Sequence, residues 1–123
     1  MASVTITRCF NPFTVLVGVS NCLGADYRYF LESLKTGECQ GWEINGGDSF
    51  AITRTEKEPS GKLVLVVCCY EGKELSEFAV FITHWAANND FSKVRFHTAH
   101  RALHNVILPV KARFVESIYE VDL

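Results

Sequence analysis

Apolar and polar residues alternate with a period of two at the start of the chain. Val4 and Ile6 alternate with Thr5 and Thr7, and Phe13, Val15, Val17 and Val19 alternate with Thr14, Leu16, Gly18 and Ser20. Successive side chains of a strand point to opposite faces, so both segments read as strands. Asn11-Pro12 between them reads as a turn, because proline presets φ and brings no ladder donor. Turn-forming clusters then recur at short intervals: NCLGAD at 21–26, KTGE at 35–38, NGGD at 45–48, EPSGK at 58–62, EGK at 71–73 and AANND at 86–90. The segments between them, 27–34, 39–44, 50–56, 63–70 and 75–85, are therefore expected to be strands as well.

Two of these segments are apolar on both faces. LVLVVCCY at 63–70 suits a central strand. In FAVFITHW at 78–85, Phe78, Val80, Ile82 and His84 share one face, while Ala79, Phe81, Thr83 and Trp85 share the other. Two neighbouring strands with apolar outer faces predict a covering loop or a subunit interface, and a homodimer through that sheet is the preferred reading. The stretch 92–109 fits a strand, a short helical turn near 98–104 and a second strand, after which 113–121 closes the chain. The pattern as a whole predicts an all-β fold: one antiparallel β-sandwich domain spanning 1–123, of jelly-roll or Greek-key type, with about eight to nine short strands.

Composition narrows the setting. At 123 residues and 48% hydrophobic content the chain can bury one core without a covalent staple. Twelve Lys and Arg against fourteen Asp and Glu leave a net charge of −2 with no basic block, so nucleic acid is not an expected partner. The longest clean apolar run of the opening, 15–19, is too short for a signal peptide's core or a membrane span, and Arg8 interrupts it upstream. A cytoplasmic setting is expected. The cysteines, Cys9, Cys22, Cys39, Cys68 and Cys69, are odd in number and form no CxxC pair, which favours reduced thiols over a disulfide framework. A bridge between Cys9 and Cys22 stays open. Cys68 and Cys69, adjacent on a strand, are expected to face opposite ways.

Candidate chemistry is sparse. His97, His100 and His104 would lie within about 60° of one another on a helix, close enough for zinc, but no carboxylate is spaced to orient them. No metal site and no cofactor are therefore expected. His84 could approach Cys68 or Cys69, yet no nucleophile elbow or oxyanion loop frames them. Glu71, Glu74 and Glu77 read as a solvated rim beside a hairpin turn. NGGDS lacks the lysine and the strand-to-helix setting of a phosphate loop. The aromatic residues near turns, Tyr27, Tyr29, Trp42, Trp85 and Phe91, are the candidate ligand-binding set, since exposed aromatics at loop tips suit sugar stacking or insertion among lipid headgroups.

Residues 4–54 also carry a pattern in Asn11, Val19-Ser20-Asn21, Gly24, Tyr29, Gly37-Glu38 and Trp42. In that pattern the N-terminal half resembles the aegerolysin-like proteins, including the related domain of proteins up-regulated in long-lived nematodes and common in fungi. The resemblance implies a small acidic β-sandwich that is not an enzyme and that recognises membrane lipids. The chain is thus expected to be a non-catalytic module binding a lipid headgroup or a glycan through its aromatic loop tips. The alternative is a cytosolic interaction or structural protein acting through homodimerisation, with no small-molecule ligand.

Overall fold

The computed structural model describes residues 4–23 and 26–96. In chain order the elements are β1 (Ile6–Arg8), α1 (Pro12–Gly18), α2 (Ser20–Leu23), α3 (Tyr27–Thr36), β2 (Cys39–Ile44), β3 (Ser49–Lys57), β4 (Leu63–Glu71), α4 (Leu75–Ala87) and β5 (Phe91–Phe96). The strands form one five-stranded sheet in the order β1-β2-β3-β4-β5. The first four are antiparallel neighbours, and β5 runs parallel to β4 after the α4 crossover. The fold is mixed α/β, which corrects the expected β-sandwich.

The strands expected at 39–44, 50–56 and 63–70 are present as β2, β3 and β4. Asn45 and Gly46, both at positive φ, turn the chain between β2 and β3, the geometry that a tight hairpin demands. The remaining segments differ, and the reason is local. Asn11 caps α1: its side chain accepts from the Phe13 N–H at 3.0 Å and from the Thr14 N–H at 3.4 Å. Pro12 then occupies the first helical turn, where its missing N–H costs nothing. Val15, Leu16 and Val19 are buried while Phe13 and Val17 are exposed. That spacing is helical, although the same residues also satisfy a period of two. Likewise α3 buries Phe30 and Ser33 and ends on Gly37 at φ 88°, and α4 buries Phe78, Ala79, Ile82 and Ala86.

Each face of the sheet carries its own core. On one side Val15, Leu16, Val19, Leu23 and Phe30 pack with Cys39, Ile52 and Cys69. On the other, Phe78 and Ile82 of α4 pack with Trp42, Ile44, Leu65 and Val67. One apolar face of 63–70 is therefore covered by α4 and the other by α1 to α3, while Val80 on the outer side of α4 stays exposed. Two glycines let α1 approach the sheet closely: a Cβ at Gly18 would stand 2.1 Å from the Phe50 ring, and one at Gly41 would stand 2.5 Å from Val15. Among the described residues no helix is long and apolar enough to cross a membrane. The expected helical turn near 98–104 and the closing strand at 113–121 lie outside the described residues.

Candidate active site at the end of β4

β4 is where the two pairing modes meet. Its parallel register with β5 runs from Leu63↔Phe91 to Val67↔Phe96. On the β3 side, Thr53↔Val67 is followed by Ile52↔Cys69, so Cys68 stands opposite no residue and forms a β-bulge. On the β5 side the described register ends one residue earlier, at Val67↔Phe96. The bulge also resets which face each following side chain takes. Cys68 and Cys69 both pack on the cluster under α1 to α3, which corrects the expectation that they face opposite ways. Tyr70 returns to the α4 side, its ring 5.3 Å from that of Phe78.

Beyond the bulge, three segments meet at the strand's end. The Glu71 carboxylate accepts from the Asn21 backbone N–H at 2.9 Å, from Asn21 Nδ2 at 3.4 Å and from the Cys22 thiol at 3.5 Å. It is thereby fixed to α2. Ser49 Oγ accepts the Lys73 N–H at 2.9 Å and lies 3.0 Å from the Lys73 carbonyl and 3.3 Å from the Glu74 carboxylate. The Tyr70 hydroxyl donates to the same Lys73 carbonyl. Gly72 makes this loop possible: its φ is 125°, and a Cβ there would fall 2.2 Å from Ser49 Oγ. Glu74, at φ 62°, leads into α4, whose first turn carries Glu77.

Burial sets the protonation of the neighbouring groups. It pushes the Cys69 and Cys39 thiols up to about 12 each, and it also raises Cys68. Cys22 is raised by burial and then by its bond to the Glu71 carboxylate. Tyr70 is pushed up to about 12, chiefly by burial. These thiols are therefore neutral near pH 7, and a neutral thiol is a poor nucleophile. All five cysteines are unbridged, Cys9 and Cys22 included.

The residues singled out for ligand binding fall into two groups. Trp42, Trp85 and Phe91 come together, with ring centroids 5.1 Å apart for Trp42 and Trp85 and 5.9 Å for Trp85 and Phe91. Trp42 is only 1% exposed, and the group seals the core under α4. Tyr27 and Tyr29, 46% and 43% exposed, stand on α3 across the sheet. His84 is exposed on α4, on the other side of the sheet from Cys68 and Cys69. His97, His100 and His104 lie outside the described residues. Among the described residues no three His, Cys, Asp or Glu side chains are grouped to hold a metal. Glu71, expected on a solvated rim beside a hairpin turn, is instead tied to α2, and EGK leads from β4 into a helix. The useful sign was an apolar strand, then a single glycine, then an apolar segment long enough for a crossover helix.

No family model and no curated protein matches the chain in sequence. Solved structures do match in fold. The ribosomal-protein-alanine N-acetyltransferase from Brucella melitensis biovar Abortus 2308 superposes with a TM-score of 0.69 at 16% identity, covering 99% of this chain and 100% of that one. The glucosamine-6-phosphate N-acetyltransferase from Arabidopsis thaliana gives 0.66 at 9% identity, covering 99% of each. AAC(6')-Iy, solved in complex with the bisubstrate analogue CoA-S-monomethyl-acetylneamine, gives 0.62 at 10% identity, covering 99% and 97%. These matches overturn the aegerolysin-like resemblance and the lipid-binding, lectin-like module inferred from it, since a sheet crossed by helices has no sandwich ends on which to mount aromatic loop tips. The chain has the fold of these acetyltransferases.

Proposed function

We propose that the chain is an enzyme that transfers an acyl group from a thioester to an amine, with the C-terminal half of β4 as its reacting edge. This replaces the non-catalytic reading. The observation that carries it is the bulge at Cys68, set between the parallel β4–β5 pair and the start of α4 in a fold shared with N-acetyltransferases. A bulge takes main-chain groups out of the β3 ladder, and an N–H turned out in that way is the kind of donor that stabilises the oxyanion formed as a carbonyl is attacked. Glu71, held by Asn21, is the carboxylate at this strand end and acts as the general base. The amine nitrogen attacks the thioester carbon and the C–N bond forms. Glu71 takes the amine proton, the C–S bond breaks, and the departing thiolate takes a proton from water. The neutral thiols nearby give no covalent acyl-cysteine, so transfer is direct.

Coenzyme A, named in the AAC(6')-Iy complex, brings a diphosphate, and anions of that kind settle at helix N-termini. The start of α4 does not fit that group. Glu74 caps it and Glu77 lies in its first turn, with Lys73 the one cation among residues 71–77, and Gly72 is packed against Ser49. The reading rests on the thioester end of the donor.

The test is to incubate the purified full chain with acetyl-pantetheine or acetyl-coenzyme A and a panel of primary amines, and to detect acetylated product by mass spectrometry. Turnover that disappears in Glu71→Gln supports the reading. No turnover with either donor across the panel overturns it.

A further inference from the structure

An open recess of about 420 Å³ lies on the outer side of α1, where the helix passes over β3. Phe13, Thr14, Val17, Gly18 and Phe50 line it, and none of them is charged. Phe13 and Val17 stand one helical turn apart and so share a face, and both are exposed, at 55% and 76%. Phe50 reaches in beneath the end of α1, because Gly18 lacks the Cβ that would run into its ring. Large apolar side chains left open together mark a binding surface, which isolated ones do not.

Phe50 also belongs to a row of residues across the sheet. Its register partner on β2 is Glu43, and its partner on β4 is Glu71. Directly opposite residues of antiparallel strands point to one face, with Cβ atoms about 4.5–5.5 Å apart. Phe50 packs on the cluster under α1 to α3, and Glu71 bonds to α2, so the row lies on that side of the sheet. The ring therefore stands between two carboxylates. Glu71 is held by Asn21, and Glu43 accepts from the Thr7 hydroxyl at 3.4 Å. Among the described residues neither forms an ion pair.

The other end of the recess has the opposite sign. Lys35 Nζ stands 5.9 Å from the centroid of the Phe13 ring. Phe13 and Gly18 are five residues apart, about 7.5 Å along the helix. The recess thus runs from a cation beyond Phe13 to carboxylates on either side of Phe50. A molecule with an ammonium group and an apolar body is matched to this surface in one direction only.

We infer that the acceptor of the acyl group is a primary arylalkylamine, its ring against Phe13, Val17 and Phe50 and its nitrogen at Glu71. This rests on the reading of Glu71 as the general base. The amine arrives as its ammonium, drawn by the two carboxylates, and loses one proton to water. Its nitrogen then attacks the thioester carbon. Glu71 takes the second proton as the C–N bond forms, the C–S bond breaks, and the thiolate takes a proton from water.

The test compares phenethylamine with ethylamine as acceptor for the purified full chain, with acetyl-coenzyme A and with acetyl-pantetheine, products being measured by mass spectrometry. The value of kcat/KM is expected to be at least about ten-fold higher for phenethylamine. Phe13→Ala and Val17→Ser, at exposed positions, should each bring that ratio down several-fold toward one, mainly through KM. Val80→Ala, which trims an exposed apolar side chain on α4, should keep the ratio. A wild-type ratio near one, or a ratio unchanged in both recess variants, overturns the proposal and leaves acyl transfer standing. No turnover of either amine with either donor overturns both.

Discussion

The indole Nε1–H of Trp42 donates to Thr53 Oγ1 at 2.9 Å, and the Thr53 hydroxyl in turn donates to Gln40 Oε1 at 2.9 Å. Thr53 is fully buried and is the β3 residue at which the register shifts opposite the Cys68 bulge. The bond thus joins the aromatic core under α4 to the point where the ladder is interrupted. Thr53→Val keeps the shape but strands the indole donor, and is expected to cost about 1–3 kcal/mol. Urea denaturation measures it. A loss below about 0.5 kcal/mol, within the range of ordinary surface changes, would show that the bond contributes little.

Gly72 is needed for two reasons at once, its φ of 125° and its contact with Ser49. Gly72→Ala is expected to lose about 1–3 kcal/mol and to abolish acyl transfer by displacing the β4–α4 loop. Gly46 is the control. Its φ is 69° but nothing lies within 4 Å of a Cβ there, so Gly46→Ala should cost about 1 kcal/mol and spare turnover.

If Glu71 is the general base, Glu71→Gln lowers kcat by about 10²- to 10⁴-fold. A cooperative urea transition kept by Glu71→Gln separates this from a loss of the fold. Asn21→Ala removes only the side-chain bond to the carboxylate and leaves the backbone N–H and Cys22 bonds in place, so it should lower kcat much less than Glu71→Gln.

The carboxylates around the start of α4 make a prediction about the donor. Acetyl-pantetheine, which lacks the diphosphate, should react within about ten-fold of acetyl-coenzyme A, because the first turn of α4 offers little attraction to added negative charge. Glu77→Lys should shift the preference toward the phosphorylated donor. A strong preference for acetyl-coenzyme A in the wild type would contradict the mismatch at α4 while leaving acyl transfer intact.

Alkaline pH should destabilise the fold. Cys39 and Cys69 rise from 9.0, and Tyr70 from 10.0, to about 12 on folding. The unfolded chain then releases protons that the folded chain retains. Their contribution is complete below pH 9 and is lost as pH climbs toward 12. The urea midpoint should fall across that window, and Cys69→Ala should flatten the fall. In the folded protein, iodoacetamide at pH 8 should leave Cys39 and Cys69 unmodified.

Much of the sheet was legible from the chain alone. LVLVVCCY announces a central strand because it is apolar on both faces, and Asn45-Gly46 announces a tight hairpin because both residues tolerate positive φ. Misreading came where a short apolar run satisfied two periods. Residues 13–19 alternate as a strand would, yet Val15, Leu16 and Val19 are the buried set. The same holds for 78–85, where Phe78, Ala79 and Ile82 are buried and Val80 is exposed.

By itself the sequence determined the antiparallel strands, the turn between β2 and β3, and the lack of a basic surface block, all properties of residue type and near-neighbour spacing. Only the tertiary structure decided that 12–18 and 75–87 are helices, because that choice depends on which face of the sheet needs covering. It alone decided that Cys68 bulges, since register belongs to a pair of strands and not to either one. It also brought Asn21 to Glu71 across 50 positions and set Arg8 between Phe10 and Trp42. Such long-range placements follow from packing, and no local pattern in the chain encodes them.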